Sequence, residues 1–175
     1  MSTIDLVTEN FRLSLMKPEM VTDRWVEWTN DRVIMRQINS KPKKLSKSDI
    51  QNYVLDATLK RRAIVGIFRR VDQEHVGLYE ILFDQAHRNV NFDILIDFKR
   101  FSLPAVIDET LTALMNDVKL RFGAEKAVIL APESYSELIL YLERSDWHRE
   151  GILRSEFPNA NGAKRLDGLH FGKIL

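Results

Sequence analysis
Val90 to Asp117 reads VNFDILID, then FKRFSLP, then AVIDETLTALMND, and the fold turns on how these three pieces follow one another. In the first piece Val90, Phe92, Ile94 and Ile96 alternate with Asn91, Asp93, Leu95 and Asp97. A period of two places the apolar set on one face, which is the pattern of a half-buried strand. In the third piece Val106, Thr110, Leu111, Leu114, Met115 and Val118 recur at helical spacing. Pro104 suits a first helical turn, where its missing N–H would have no partner anyway. Asp108 and Glu109 suit the positive end of the helix dipole. Between the two lies a basic loop holding Lys99 and Arg100. A strand, a basic loop and a helix start can form an anion cradle, because free N–H groups and the dipole favour phosphate. An ordinary strand–loop–helix unit is the plainer reading of the same pattern.

Upstream, Phe11 to Met16 alternates as a strand. Glu19 to Asn30 reads as a helix with Val21, Trp25 and Trp28 along one side, a spacing that favours core packing of the tryptophans over stacking on a ligand ring. Val33 to Ile38 is a short apolar piece, and Ser40 to Lys47 a basic loop. Ser46 or Ser48 caps a helix from Asp49 to Lys60, with Ile50, Tyr53, Val54 and Ala57 as its buried stripe. Ala63 to Arg69 and Val76 to Phe83 are strands leading to the central one. Downstream, Gly123 stops the long helix where a C-cap glycine belongs. Lys126 to Leu130 is a strand and Ser134 to Arg144 a helix. Trp147 to Phe157 and Arg165 to Ile174 close the chain as a hairpin across the turn-rich loop at 158–162. This order predicts an α/β fold: a mixed, largely antiparallel twisted sheet of about seven strands with helices on both faces. Pairing across the long helix is expected to be parallel and right-handed.

The chain has 175 residues and a net charge of +1. The length fits one domain spanning 1–175, and the charge gives no global field for nucleic acid. There is no cysteine, which excludes a disulfide scaffold, a thiolate metal site and a cysteine nucleophile. No apolar run is long enough for a bilayer and MSTIDLVTENFR lacks a signal-peptide core, so a cytoplasmic location and no membrane partner are expected. His75, His87, His148 and His170 are scattered without metal-ligand spacing, read as surface or strand histidines, and no metal is expected. Lys41 to Lys44, Lys60 to Arg62, and Arg69 with Arg70 are short basic clusters, which read as solvated surface or as attractors of a phosphate group.

The order and spacing of these elements resemble the GNAT superfamily of acyl-CoA-dependent N-acetyltransferases, in particular the branch acting on ribosomal-protein N-termini and nucleotide-sugar amines. Three stretches carry the likeness: FRLSLMKPEMVTDRWVEWTND at 11–31, WHREGILR at 147–154 and DGLHF at 167–171. The resemblance covers nearly the whole chain and implies acetyl-CoA as co-substrate. It further implies a small-molecule or peptide primary amine as acceptor, such as an amino sugar or a protein N-terminus, with no nucleic acid; a homodimer is compatible with it. Family members bind the coenzyme diphosphate on a Q/R-x-x-G-x-G/A loop, which falls here on Ser102-Leu103-Pro104-Ala105-Val106-Ile107 without either glycine. The implied coenzyme contacts are Ser102, Ala105, Val106 and Ile107 at that loop, Lys99 and Arg100 before it, and the backbone of Ile94, Leu95 and Ile96 on the central strand.

For the chemistry, the resemblance implies a carboxylate base on the central strand or its neighbour. Asn91 stands where the family's glutamate usually does, which leaves Asp93 and Glu80 as candidates. The family's tyrosine acid falls on Leu142 and its asparagine on Tyr135, so Tyr135 and Tyr141 are the candidate acids. Tyr141 is one residue, roughly 100° of helix, from the family position. Two readings follow: an N-acetyltransferase, or a binding or structural protein on the same fold that does no transfer. A nucleic-acid-modifying protein is a third, disfavoured by the near-neutral charge.

Overall fold
The protein, seen in a computed structural model, is described over residues 4–60, 62–159, 162 and 164–175. Arg61 of the second basic cluster and Ala160 and Asn161 of the hairpin loop lie outside those residues, as do the first three of the N-terminal stretch. Two short strands, β1 (Asp5–Val7) and β2 (Phe11–Leu15), lead through a single 3-10 turn, Pro18–Met20, to three helices: α1 (Asp23–Asn30), α2 (Arg32–Gln37) and α3 (Lys47–Leu59). Then come β3 (Arg62–Arg69), β4 (His75–Asp84), β5 (Asn89–Ile96), α4 (Leu103–Phe122), β6 (Lys126–Pro132), α5 (Ser136–Arg144), β7 (His148–Phe157) and β8 (Leu166–Ile174). One sheet of eight strands runs β1-β2-β3-β4-β5-β6-β8-β7. Every neighbouring pair is antiparallel except β5–β6, the pair that α4 connects.

The expected mixed sheet with a central alternating strand is present, with one strand more than the pattern showed. β1 is only three residues long and pairs with β2, too short for periodicity to register. The first helix starts later than expected: Pro18–Met20 is a 3-10 turn, Val21 is extended, and Thr22 caps α1 by accepting from the Trp25 N–H. The apolar piece at 33–38 is helix α2, capped by Asp31, whose carboxylate accepts from the N–H groups of Val33 and Ile34. Ser46, not Ser48, caps α3, in a reciprocal capping box with Asp49. Gly123 ends α4 at φ 67°, the left-handed conformation a glycine takes without a Cβ clash. Gly77 on β4 has a different reason: a Cβ there would lie 2.4 Å from the Leu95 carbonyl oxygen.

Two apolar cores sandwich the sheet. One packs Val90, Phe92, Ile94 and Ile96 of β5 against Val106, Leu111 and Leu114 of α4 and Leu138 and Leu142 of α5. The other packs Leu78 and Leu95 against Trp25 and Trp28 of α1, Ile34 of α2, and Ile50 and Val54 of α3. The second core corrects the reading of β5 as half-buried. The face carrying Asn91 and Asp93 also carries Leu95 and, just past the strand, Asp97, and both of these are buried beneath α1–α3. Asp108 and Glu109 do not serve the α4 dipole. Tyr141 donates to Asp108 at 2.7 Å, and Glu109 accepts from the N–H and side-chain amide of Asn10, tying α4 to the β1–β2 turn. No helix among the described residues is long and apolar enough to cross a membrane.

Candidate functional site
The sheet is two antiparallel blocks joined by a short parallel seam. β5 pairs with β6 only at Asn89–Lys126, Val90–Ala127 and Asn91–Val128, while β6 pairs with β8 along its whole length. Past Asn91 the strands part. The Asp97 N–H donates to the Val76 carbonyl at 2.9 Å, so by alternation Leu95 and Asp93 also turn their backbone groups toward β4. Ile94 and Ile96 therefore turn theirs toward β6, where no strand meets them. The Ile96 carbonyl is closed off by the Phe98 N–H at 2.8 Å. Among the described residues no strand pairs with the Ile94 N–H, the Ile94 C=O or the Ile96 N–H. Leu95, expected among the contacts, is corrected: its backbone is engaged by β4 and its side chain by the second core.

A cleft of about 640 Å³ opens at this parting. Its walls come from α1, the α2–α3 segment and α3 on one side, and from β6, the α5 start and Phe157 on the other; Asp93 and Glu80 sit on its floor. These two carboxylates are cross-strand partners. Glu80 accepts from the Tyr53 hydroxyl and from the Arg62 guanidinium, so its charge is balanced. Arg62 also lies 5.7 Å from the centre of the Tyr53 ring. Asp93 has no hydrogen-bond or ion-pair partner among the described residues. Its side chain is exposed within the cleft. Desolvation, then the Glu80 charge, hold its pKa above the usual carboxylate range, with Arg62 pulling the other way.

Tyr135, the residue before α5, also lines the cleft. It is 2 % exposed and its hydroxyl meets no partner. Desolvation raises its pKa, with the Glu137 charge adding to the rise. Tyr141 is not brought to the cleft; its hydroxyl is held by Asp108 on α4. Leu142, at the family's tyrosine position, is fully buried in the first core. Asp93, Glu80 and Tyr135 are thus brought together, and Tyr141 is not.

The loop into α4 departs from the expected cradle. Lys99 pairs with Asp31 of the α2 cap and Arg100 with Glu74, so both cations are already neutralised. Val106 and Ile107 point into the core, and their amides lie within the helix ladder; the Val106 N–H donates to the Ser102 carbonyl at 3.1 Å. They are withdrawn as coenzyme contacts. What the helix start offers is the N–H groups of Leu103 and Ala105, flanking Pro104, with no side-chain cap from Ser102. That set fits an anion weakly.

Two buried polar groups brace the α1 wall. Asp97 is 0 % exposed; its Oδ2 accepts from Arg24 Nη2 at 2.7 Å, Arg24 Nε at 3.1 Å and Trp28 Nε1 at 3.0 Å. His75, read as a surface or strand histidine, is the first residue of β4 and faces the core. It is buried, stacks on Phe68 at 4.6 Å, lies 4.7 Å from Trp28, and shares a hydrogen bond with Thr22 at 2.8 Å. Burial pushes its pKa down to about 3, so it is a neutral packing residue.

Among functional residues, sequence reasoning missed Arg62 and Tyr53 as the pair that holds Glu80 in place. No group of His, Asp and Glu among the described residues is arranged to hold a metal ion.

No family model matches the chain, and no curated protein matches it. Solved structures do. A GNAT-family acetyltransferase from Bacillus anthracis superposes with TM-score 0.78 at 13 % identity, over 98 % of each chain. A spermidine N-acetyltransferase from Vibrio cholerae, solved with CoA and spermine, gives TM-score 0.77 at 15 % identity over 94 % of this chain and 95 % of that one. The Salmonella typhimurium acetyl transferase that modifies the N-terminal serine of ribosomal protein L7/L12 gives 0.78 at 13 % identity over 95 % of each. An eight-stranded sheet parted beside its central strand, matched end to end by these structures, is the GNAT acetyltransferase fold.

Proposed function
We propose that the protein transfers an acetyl group from acetyl-CoA to a primary amine. One observation carries the reading: an unpaired carboxylate, Asp93, lies on the floor of a cleft into which the unpaired backbone of Ile94 and Ile96 also opens. Acetyl-CoA supplies the thioester. Ile94 and Ile96 offer N–H groups to amide or carbonyl oxygens of an extended arm lying in the parting. Such a donor also stabilises the charge that grows on the thioester oxygen during attack. Asp93 pairs with the incoming ammonium group and takes one proton from it, which frees the nitrogen lone pair to attack the thioester carbon, a role its raised pKa favours. The carbon–sulfur bond breaks, the Tyr135 hydroxyl gives its proton to the departing sulfur, and the second proton shed by the new amide nitrogen returns to the Tyr135 oxygen. Glu80, held by Tyr53 and Arg62, keeps a fixed negative charge beside Asp93 and so positions its pKa.

A second reading, a binding protein on this fold that does no transfer, draws support from the neutralised Lys99 and Arg100 and from Pro104 at the α4 start. Calorimetric titration with acetyl-CoA separates the two. Micromolar binding, with acetylated product from an amine panel seen by mass spectrometry, is the expected result. No binding at millimolar coenzyme leaves the second reading.

A further inference from the structure
Which amine the cleft takes can be argued from the polar groups already engaged around it. Three carboxylates border the cleft: Asp49, Glu80 and Asp93. Asp49 accepts from the N–H and hydroxyl of Ser46 at 2.8 and 2.7 Å, closing the α3 cap. Glu80 is held by Tyr53 and Arg62. Only Asp93, among these three, has no hydrogen bond or ion pair among the described residues; Asp49, exposed at the α3 start, keeps its Oδ1 open at the edge of the cleft. The Thr29 hydroxyl is turned to the Val26 carbonyl at 2.8 Å. Lys43 adds a cation at the edge of the cleft. Beside the hydroxyls of Ser40, Tyr53 and Tyr135, the remaining wall is apolar and aromatic, with Trp25, Met35, Leu45, Phe92, Leu138 and Phe157 among its residues.

We propose that the acceptor is a monoamine with an apolar body, an arylalkylamine or branched alkylamine, whose ammonium meets Asp93 and whose body lies against Trp25 and Phe157. The inference rests on the acetyl-transfer reading and names the acceptor within it. A polyamine brings a second ammonium group, to which Lys43 presents a repulsive charge and which the apolar wall strips of water. An amino sugar brings a ring of hydroxyls that an apolar wall strips of water without replacing their hydrogen bonds. A single charged head and an apolar body match one unpaired carboxylate and an apolar wall, and the volume admits such a ligand beside an extended acyl arm.

The experiment uses the full chain and four amines: phenethylamine, isoamylamine, spermidine and glucosamine. Each is titrated alone by ligand-observed NMR and then tested as acceptor with acetyl-CoA. Phenethylamine and isoamylamine are expected to give kcat/KM about tenfold or more above spermidine and glucosamine. Asp93→Asn, checked for folding by circular dichroism, is expected to weaken phenethylamine binding without coenzyme present. Better turnover of spermidine or glucosamine than of both apolar amines overturns the inference and leaves acetyl transfer standing. If acetyl-CoA does not bind, the function reading fails and the amine titration decides alone. Saturable phenethylamine binding lost in Asp93→Asn supports the cleft's selectivity, and no binding of either apolar amine overturns it.

Discussion

Asp97→Ala is expected to destabilise the protein by about 3 kcal/mol. The carboxylate is fully buried, and its Oδ2 gathers three donors, from Trp28 and twice from Arg24. Trp28 is 1 % exposed, so its orphaned indole N–H has no water to turn to, a loss of about 1–3 kcal/mol. Arg24 is different. Its side chain is 31 % exposed and also holds Glu27 at 2.6 Å, so it relaxes toward solvent, and its share is nearer about 1 kcal/mol after screening. Asp97 Oδ1 has no partner, so its removal costs nothing and relieves some desolvation. The net of about 3 kcal/mol corresponds, for a chain of this size, to a midpoint drop of about 6–12 °C. Asp97→Asn keeps a carbonyl for the Trp28 N–H and loses only the charge toward Arg24, so about 1 kcal/mol is expected. Reversible urea unfolding followed by far-ultraviolet circular dichroism measures both. Asp97→Ala within 1 kcal/mol of wild type, or Asp97→Asn as damaging as Asp97→Ala, refutes this account of the α1–β5 brace.

Asp93→Asn is expected to lower turnover by about 100-fold or more while the thermal midpoint at neutral pH holds or rises. The sign follows from the raised pKa: the folded chain's tighter grip on this proton contributes stability that is full below 3.8 and lost as pH rises through the folded value, so asparagine removes a penalty felt at neutral pH. Tyr135→Phe removes a buried hydroxyl without a partner, so stability should be unchanged or up by about 1 kcal/mol while kcat falls and acetyl-CoA affinity does not; parallel loss of both would make Tyr135 a packing residue. Pro104→Ala restores one N–H at the α4 start, and titration should show tighter acetyl-CoA binding that weakens as salt is raised; unchanged affinity would place the diphosphate elsewhere. Restoring the family pattern at Ile107 is a poorer test, since a fully buried isoleucine cut to alanine costs about 2–5 kcal/mol.

What could be read from the sequence was whatever depends on neighbours along the chain. The alternation from Val90 to Ile96, a capping serine at one of two positions, of which the structure uses Ser46, and the stop at Gly123 are local patterns, and each stands in the structure. The errors share one cause: a partner distant in sequence. Asp97 continued the polar phase of β5, but α1 lies over that face and buries it; the apolar Leu95 in the same phase was the sign of a second covering layer. Lys99 and Arg100 looked free because Asp31 and Glu74 are far away along the chain. Arg62 looked like solvated surface because Glu80 reaches it from the next strand. Tyr53 followed the buried stripe of α3, yet its ring edge reaches the cleft and its hydroxyl meets Glu80. Of the candidate residues, Asp93 and Glu80, named from the polar phase of β5 and its neighbour, and Tyr135, at the family's asparagine position, come together at the cleft, and the backbone of Ile94 and Ile96 faces the parting. Tyr141 was separated from them by its bond to Asp108, which no periodicity encodes.

The parallel seam explains why the cleft sits where it does. β5 must pair in parallel with β6 because α4 carries the chain back along the sheet, and β6 must pair along its whole length with β8, the second strand of the closing hairpin. Each block has its own twist, set by its antiparallel partners, and three residue pairs cannot hold the two together beyond Asn91 and Val128. The parting leaves strand backbone with no strand to satisfy it, a state that costs free energy wherever water is poorly admitted. A ligand with amide groups in an extended arm relieves that cost by bonding to the Ile94 and Ile96 backbone as a short strand would. Binding there should therefore protect the β5 amides of Ile94 and Ile96 from hydrogen exchange more than those of Asp93 and Leu95, which β4 already protects. The same site gains specificity from chemistry rather than from shape: one unpaired carboxylate on the floor, one buried hydroxyl on the wall, and an apolar lining around them.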